Sequence, residues 1–402
     1  MNFKIIANDI ELNYNKKLIK MNYLISDIPN SMVIDTFLKT EFSNSYFDIQ
    51  EGKHKLENGK FKNPFPTWFY INKSKFFLLC LRDHFFKDIN KLTLKENLNN
   101  VMLSLPTIKS NCMKYENNLD DIQITWVGHS TYLIRHNNVT FITDPVFSDR
   151  ASPVQWKGPK RIKEVPFKIQ DIDPKINVVL LSHDHFDHLD LNSIQELEIH
   201  HKPLYFVPLG KKSWFTSKPY TFDPFGIYLK VDSNRVIEMN WFESSTLKIN
   251  KNITLHFVPA QHWSVRLGND EMKSLWGGWI IESKVSNRIR KIFFAGDTGY
   301  CEIFKDIGIK YGEIDLSLIP IGAYGNEKTR WFLKNQHCDV SEAVQIAIDT
   351  RSKNAIGCHW GTFVLTPEPT LEPKNKLKEI VKNIGKSEDW FIAMQHGETK
   401  IY

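Results

Sequence analysis

One nine-residue segment, Ser182-His183-Asp184-His185-Phe186-Asp187-His188-Leu189-Asp190, limits what this chain can fold into more than any other stretch. It follows Asn177 to Leu181, where the unbroken Val178-Val179-Leu180-Leu181 reads as a strand buried on both faces. Successive strand side chains point to opposite faces, so His183 and His185 share a side at the strand end. The turn beyond brings Asp187 and His188 to a neighbouring spot. His-x-His-x-Asp-His is therefore half of a site for two metal ions. Imidazole nitrogens and carboxylate oxygens without a thiolate suit zinc, while iron and manganese stay open. The plain alternative is an exposed histidine-rich loop. A metal site needs ligands from elsewhere in the chain as well, and they are present.

Three strand-to-loop junctions supply them. His262 follows the strand Thr254 to Val258 in Pro259-Ala260-Gln261-His262-Trp263, Asp297 follows Lys291 to Ala295 in Gly296-Asp297-Thr298-Gly299, and His359 stands in Gly357-Cys358-His359-Trp360-Gly361. The set divides as His183, His185 and His262 on a first ion and Asp187, His188 and His359 on a second, with Asp297 shared between them. Ions held roughly 3.5–4 Å apart leave room for a bridging hydroxide, a nucleophile at neutral pH, so the expected chemistry is hydrolytic and needs no organic cofactor.

The rest of the chain suits a layered α/β domain. Strands are expected at Ile122 to Val127, Tyr132 to Arg135, Val139 to Thr143, Asn177 to Leu181, Leu204 to Val207, Thr254 to Val258, Gly278 to Ile281, Lys291 to Ala295 and Leu316 to Ile319. Helices are expected at Asn192 to Glu198, Val340 to Thr350 and Lys374 to Asn383. Before residue 120 the texture is irregular, with a proline-stiffened turn at Asn63 to Trp68 and a helix within Lys75 to Asn99. We expect residues 1–120 to be an extension packed on or extending the core and 121–402 to be the catalytic domain.

Composition sets the class. With 42% hydrophobic and 24% charged residues the chain is globular, and its longest apolar runs fall short of the roughly 18–20 residues of a membrane-spanning helix. Met1 to Lys20 lacks the apolar core of an export signal, and the five cysteines are irregularly spaced, so an intracellular protein with reduced thiols is expected. A net charge of +6 without a basic arm counts against a nucleic-acid partner.

In its metal-binding residues the chain resembles the metallo-β-lactamase superfamily, whose fold is an αββα four-layer sandwich with a dinuclear site at one edge of the sheets. That fold hosts several chemistries. Further segments narrow the resemblance: Asn63-Pro64-Phe65-Pro66-Thr67-Trp68, Thr143-Asp144-Pro145-Val146-Phe147, Ala151-Ser152-Pro153, Gly158-Pro159-Lys160-Arg161, Gln261-His262-Trp263, Phe293 to Tyr300, Ile319 to Tyr324 and His359-Trp360-Gly361-Thr362-Phe363. From about residue 52 onward they resemble the N-acyl-phosphatidylethanolamine-hydrolysing phospholipase D family.

The resemblance implies two zinc ions per chain and attack of water on phosphorus, giving an N-acylethanolamine and phosphatidic acid, with Asp187 and Asp297 at the bridging hydroxide. It implies substrate contacts from Gln155, Trp156, Arg266 and His337, with Trp156 standing where a tyrosine is expected. A homodimer and a peripheral place on a membrane surface, next to a phospholipid substrate, are further implications. The aromatic stretch Phe76 to Phe86 with Lys75, Arg82 and Lys87 reads either as an interfacial helix or as packing against the sandwich. Lys157, Lys160, Arg161 and Lys163 form a basic cluster or a solvated loop. The chain departs from the family pattern at Gly325-Asn326-Glu327-Lys328-Thr329 and around Ser217 to Val231. The rival reading is a soluble hydrolase of the same fold, such as a lactonase or another phosphodiesterase.

Overall fold

The structure, a computed structural model, describes residues 42–402 apart from 57, 72, 83–84, 110–117, 218–229 and 267. One compact unit runs from Ser45 to Tyr402. The departure around Ser217 to Val231 lies largely outside the described residues.

Two seven-stranded sheets form the centre. The first takes β1 (Gln123–Gly128), β2 (Thr131–His136), β3 (Val139–Thr143), β4 (Val178–Leu180), β5 (Leu204–Pro208) and β6 (Val236–Met239) in that order. The second takes β7 (Ser244–Thr246), β8 (Ile253–Val258), β9 (Gly278–Val285), β10 (Arg288–Phe294), β11 (Leu316–Pro320), β12 (Ala355–Cys358) and β13 (Phe391–Ile392). A further strand, β14 (Thr399–Ile401), pairs antiparallel with the outer side of β1. Each sheet opens with antiparallel neighbours and continues with parallel ones.

The period of two explains why strands of the first sheet read as continuous apolar runs. Tyr132, Ile134, Phe141, Val178 and Leu180 enter the core shared with Phe257, Trp279, Ile281 and Phe293 of the second sheet. Their neighbours Leu133, Ile142, Val179 and Leu181 enter a separate core with Ile194, Leu197 and Phe215. Both faces are covered, so neither needs polar residues.

Among the described residues the α-helices are α1 (Asn44–Gln50), α2 (Lys73–Arg82), α3 (Phe85–Leu92), α4 (Lys95–Ser104), α5 (Leu191–His200), α6 (Lys212–Thr216), α7 (Ile303–Tyr311), α8 (Arg330–Leu333), α9 (Val340–Asp349) and α10 (Glu372–Asn383). Ile303, Ile307, Val344, Leu377 and Val381 pack α7, α9 and α10 onto the large core, completing the αββα layering. The helix expected within residues 75–99 is instead α2, α3 and the start of α4, with Leu94 taking an extended ψ of 140° between α3 and α4. Leu79, Cys80 and Phe85 pack on Phe332 and Leu333 of α8, while Leu78, Leu81, Phe86 and Leu103 stay exposed.

Residues ahead of the sandwich brace it. Phe65 enters the large core, Asn63 Nδ2 donates to the His262 carbonyl at 2.7 Å, and Asn335 Nδ2 donates to the Phe69 carbonyl at 2.7 Å. The 325–329 segment is an ordered lead into α8: the Asn326 carbonyl accepts from Thr329 N and Arg330 N. Among the described residues no helix is long and apolar enough to cross a membrane.

Candidate metal centre

Every metal-binding group expected from the sequence arrives at the carboxyl end of a strand: the histidine motif after β4, His262 after β8, Asp297 after β10 and His359 after β12. Ligands of open α/β sheets collect at such ends, and here two sheets present theirs together.

Alternation sorts the motif. His183 and His185 turn one way, with Nε2 and Nδ1 2.9 Å apart. Asp184 turns the other way, into a buried pair with Lys211 at 2.5 Å, and also accepts from Ser274 at 3.0 Å. His262 Nε2 lies 3.2 Å from His185 Nδ1, closing a triangle of nitrogens. Nitrogens bound tetrahedrally at about 2.0–2.1 Å sit roughly 3.3 Å from one another, so the spacing suits one ion. A second group gathers on Asp187, whose Oδ2 lies 3.3 Å from His359 Nε2, 3.5 Å from His188 Nε2 and 3.0 Å from His129 Nε2. Asp297 stands between the groups. Its Oδ2 lies 3.0 Å from His359, 3.2 Å from His188, 3.9 Å from His262 and 4.0 Å from His183.

The hydrogen-bond network shows that this cluster fits positive ions. His262 Nδ1 has the Gln336 carbonyl at 2.9 Å and His188 Nδ1 has Asp144 Oδ2 at 2.6 Å, so both must carry their proton on Nδ1. Ser182 donates its hydroxyl proton to Asp144 and accepts from His183 Nδ1 at 2.9 Å, which fixes the third ring in the same tautomer. Three bare Nε2 lone pairs then face Asp297, that of His188 facing Asp187 as well, and His188 Nε2, His359 Nε2 and Asp297 Oδ1 are buried without a hydrogen bond. Lone pairs facing lone pairs need cations between them.

Titration directions agree. Burial holds the His183 and His262 rings well below their ordinary value. Burial also acts on His188 and His359, but Asp297 and its neighbouring carboxylates outweigh it, raising His188 well above its usual range and His359 to about 9. Charge that protons would bring to those two rings is charge that metal ions bring in their place.

The expected substrate contacts are placed differently from one another. His337 stands at the edge of the centre, its Nδ1 3.8 Å from Asp297 Oδ2 and without a hydrogen bond. Arg266 is turned toward the motif loop: its guanidinium donates to the carbonyls of Asp184 (3.2 Å) and Leu189 (2.7 Å) and lies over Phe186. Gln155 joins its amide to the backbone of Arg150 in a surface loop, and Trp156 beside it is 73% exposed. The basic cluster loses a member, because Arg161 is buried, donates to the carbonyls of Ser148 and Val146 and lies over Phe363.

Sequence reasoning gave no role to His129, Asp144 or Lys211. Asp144 sits in a segment that carries the family resemblance, immediately after β3, and that position was its available signal. His129 had none beyond following a strand. Asp144, His129 and His359 have left-handed φ of 32°, 54° and 59°. Such conformations cost non-glycine residues on the order of 1–3 kcal/mol each and persist where surrounding structure imposes them.

A Beta-lactamase superfamily domain model matches residues 139–360. The chain is 41% identical over 279 residues to the Caenorhabditis elegans N-acyl-phosphatidylethanolamine-hydrolyzing phospholipase D 1, covering 68% of this chain and 74% of that protein. It is 36% identical to the mitochondrial N-acyl-phosphatidylethanolamine-hydrolyzing phospholipase D of Saccharomyces cerevisiae, covering 69% of this chain and 55% of that protein. In architecture it is similar to an isothiocyanate hydrolase from Delia radicum gut bacteria, with a TM-score of 0.51, 15% identity, and coverage of 69% of this chain and 98% of that one. The chain belongs to the N-acyl-phosphatidylethanolamine-hydrolysing phospholipase D family of metal-dependent hydrolases, within the metallo-β-lactamase superfamily.

Proposed function

We propose that this protein is a zinc-dependent phosphodiesterase of the phospholipase D type, hydrolysing N-acyl-phosphatidylethanolamine to an N-acylethanolamine and phosphatidic acid. The supporting observation is the convergence of bare imidazole nitrogens on Asp187 and Asp297, in a chain whose relatives carry that activity in their names. His183, His185 and His262 would hold one zinc ion, Asp187, His188 and His359 the other, and Asp297 both. Two bound ions supply positive charge for the phosphate oxygens and an activated water.

The chain's own groups prepare that chemistry. Gln336, Asp144 and Ser182 hold three rings in one tautomer. Arg266 ties Asp184 and Leu189 together across the motif loop. His337, at the edge of the centre, is kept neutral by burial that presses it down to about 3, and we assign it to meet a phosphate oxygen as a neutral partner. Gln155 and Trp156 are assigned to the lipid side. The apolar side chains Leu78, Leu81, Phe86 and Leu103, with Arg82 and Lys87 among them, are our choice for a face that meets a membrane surface peripherally, and a homodimer is the assembly we expect.

Turnover in heavy-oxygen water tests the reaction. Attack on phosphorus puts the label in phosphatidic acid and leaves the N-acylethanolamine unlabelled. Label in the alcohol, or hydrolysis confined to soluble lactones and water-soluble phosphodiesters, would overturn the reading in favour of a soluble hydrolase of this fold.

A further inference from the structure

His129 lies in the turn between β1 and β2, outside the histidine motif, and three backbone interactions fix it. Its N–H donates to Thr362 Oγ1 at 2.6 Å, and its carbonyl accepts from Trp126 Nε1 at 3.0 Å and from the His359 N–H at 3.1 Å. A left-handed histidine of one sheet is thereby joined to a left-handed histidine of the other, with ring centroids 4.0 Å apart. The side chain is 1% exposed and directs Nε2 to Asp187 Oδ2 at 3.0 Å. Nδ1 is buried without a hydrogen-bond partner, so a proton there would face nothing, and the ring's proton belongs on Nε2, where Asp187 accepts it.

Its place differs from that of the two neighbouring rings. His188 and His359 each bring Nε2 within 4 Å of both carboxylates, whereas His129 comes within that distance of Asp187 alone. We propose that His129 is a positioning residue: its Nε2–H holds the Asp187 carboxylate toward His188 and His359 and so sets the affinity of the second ion without binding that ion. The proposal rests on the two-ion reading of the centre and is independent of the lipid substrate. Hydrogen bonds to a ligating carboxylate typically change metal affinity about 10–100-fold when removed.

Stepwise titration of the metal-free full-length protein with zinc, against a chromogenic chelator, tests it. His129→Gly is the informative variant, because glycine accepts the left-handed backbone without strain and only the imidazole is lost. We expect the second zinc to bind about 10–100-fold more weakly and the first to bind as in the unaltered protein. His129→Gln, which returns an N–H, should recover much of the loss. Equal affinity for the second zinc in His129→Gly overturns the proposal, as does a weakening of both ions together. With cobalt at saturating concentration, His129→Gly should keep the visible absorption of the unaltered protein, and a spectrum showing the loss of a nitrogen ligand would make His129 a ligand and defeat the positioning role. Failure of the unaltered protein to take up a second ion is a separate result that would sink the two-ion reading itself.

Discussion

Asp297 is the residue on which the proposed two-ion centre turns. Asp297 Oδ2 faces histidines of both groups, so Asp297→Asn removes a negative charge that no neighbour replaces. We expect that variant to lose metal and hydrolysis together, read by metal content and product formation on one preparation, and a fully active Asp297→Asn would remove it from the shared position. Asp144 acts one step back, accepting from His188 Nδ1 and from Ser182. Asp144→Asn offers an amide that can present its N–H to the ring, so metal affinity should fall about 10–100-fold while the fold persists, measured by chelator competition and circular dichroism. The motif histidines were legible because few environments justify such a density of imidazole after an apolar strand. His129 was not, since a lone histidine after a strand resembles many ordinary core histidines, and only tertiary structure brings it against Asp187. Arg266 was singled out through the resemblance, and only the structure shows that its guanidinium also donates to backbone carbonyls of the motif loop.

Among the elements, α7 and α9 meet where Gly308 leaves room for the backbone of Asp349. A Cβ added at Gly308 would lie 1.9 Å from the Asp349 carbonyl oxygen. Alanine normally favours a helix over glycine by about 1 kcal/mol, but a clash with a backbone atom reverses that sign. Gly308→Ala should cost roughly 1–3 kcal/mol or more in denaturant unfolding, and a stabilised variant would contradict the close crossing. At the start of α9, Asp339 accepts from Glu342 N and Glu342 accepts from Asp339 N, both at 3.0 Å, so Asp339→Ala should cost about 1 kcal/mol in the same assay. Most strands flanked on both sides by apolar layers were legible as runs with ends displaced by a residue, but β9 runs on to Val285 and β10 starts at Arg288, and β6 and β12 were not expected as strands. The short edge strands β7, β13 and β14 were not, because two or three residues carry too little pattern to separate a strand from a loop. The break between α3 and α4 was missed because the apolar content of residues 75–99 is continuous, while the break comes from the backbone of Leu94.

At the scale of the whole molecule the centre is a seam. Its groups come from the ends of both sheets, so ions that bind only the assembled site stabilise the entire fold. Under the proposed two-zinc reading, zinc at one hundred times its dissociation constant would add about 2.7 kcal/mol per site, and chelation should lower the melting temperature by the corresponding amount. Acid acts elsewhere too. His256 is held down to about 4 from 6.5, chiefly by burial and then by Lys310 and Lys291. Below pH 6.5 the unfolded chain binds a proton that the native one refuses, so stability attached to this residue is intact above 6.5 and declines as pH falls toward 4. The loss is roughly 3 kcal/mol at most, and His256→Gln should flatten that part of the melting-temperature profile. Lastly, β1 reaches its outer partner only when residues 399–401 exist, because Gln123, Ile124 and Thr125 pair with Ile401, Lys400 and Thr399. At about 5–20 residues per second, a ribosome needs on the order of 15–50 s to travel from β1 to β14. Throughout that interval the nascent chain exposes an open apolar edge that a neighbouring nascent chain can occupy. Densely loaded polysomes should therefore yield more aggregate than sparsely loaded ones, and slower initiation should improve recovery of the folded enzyme.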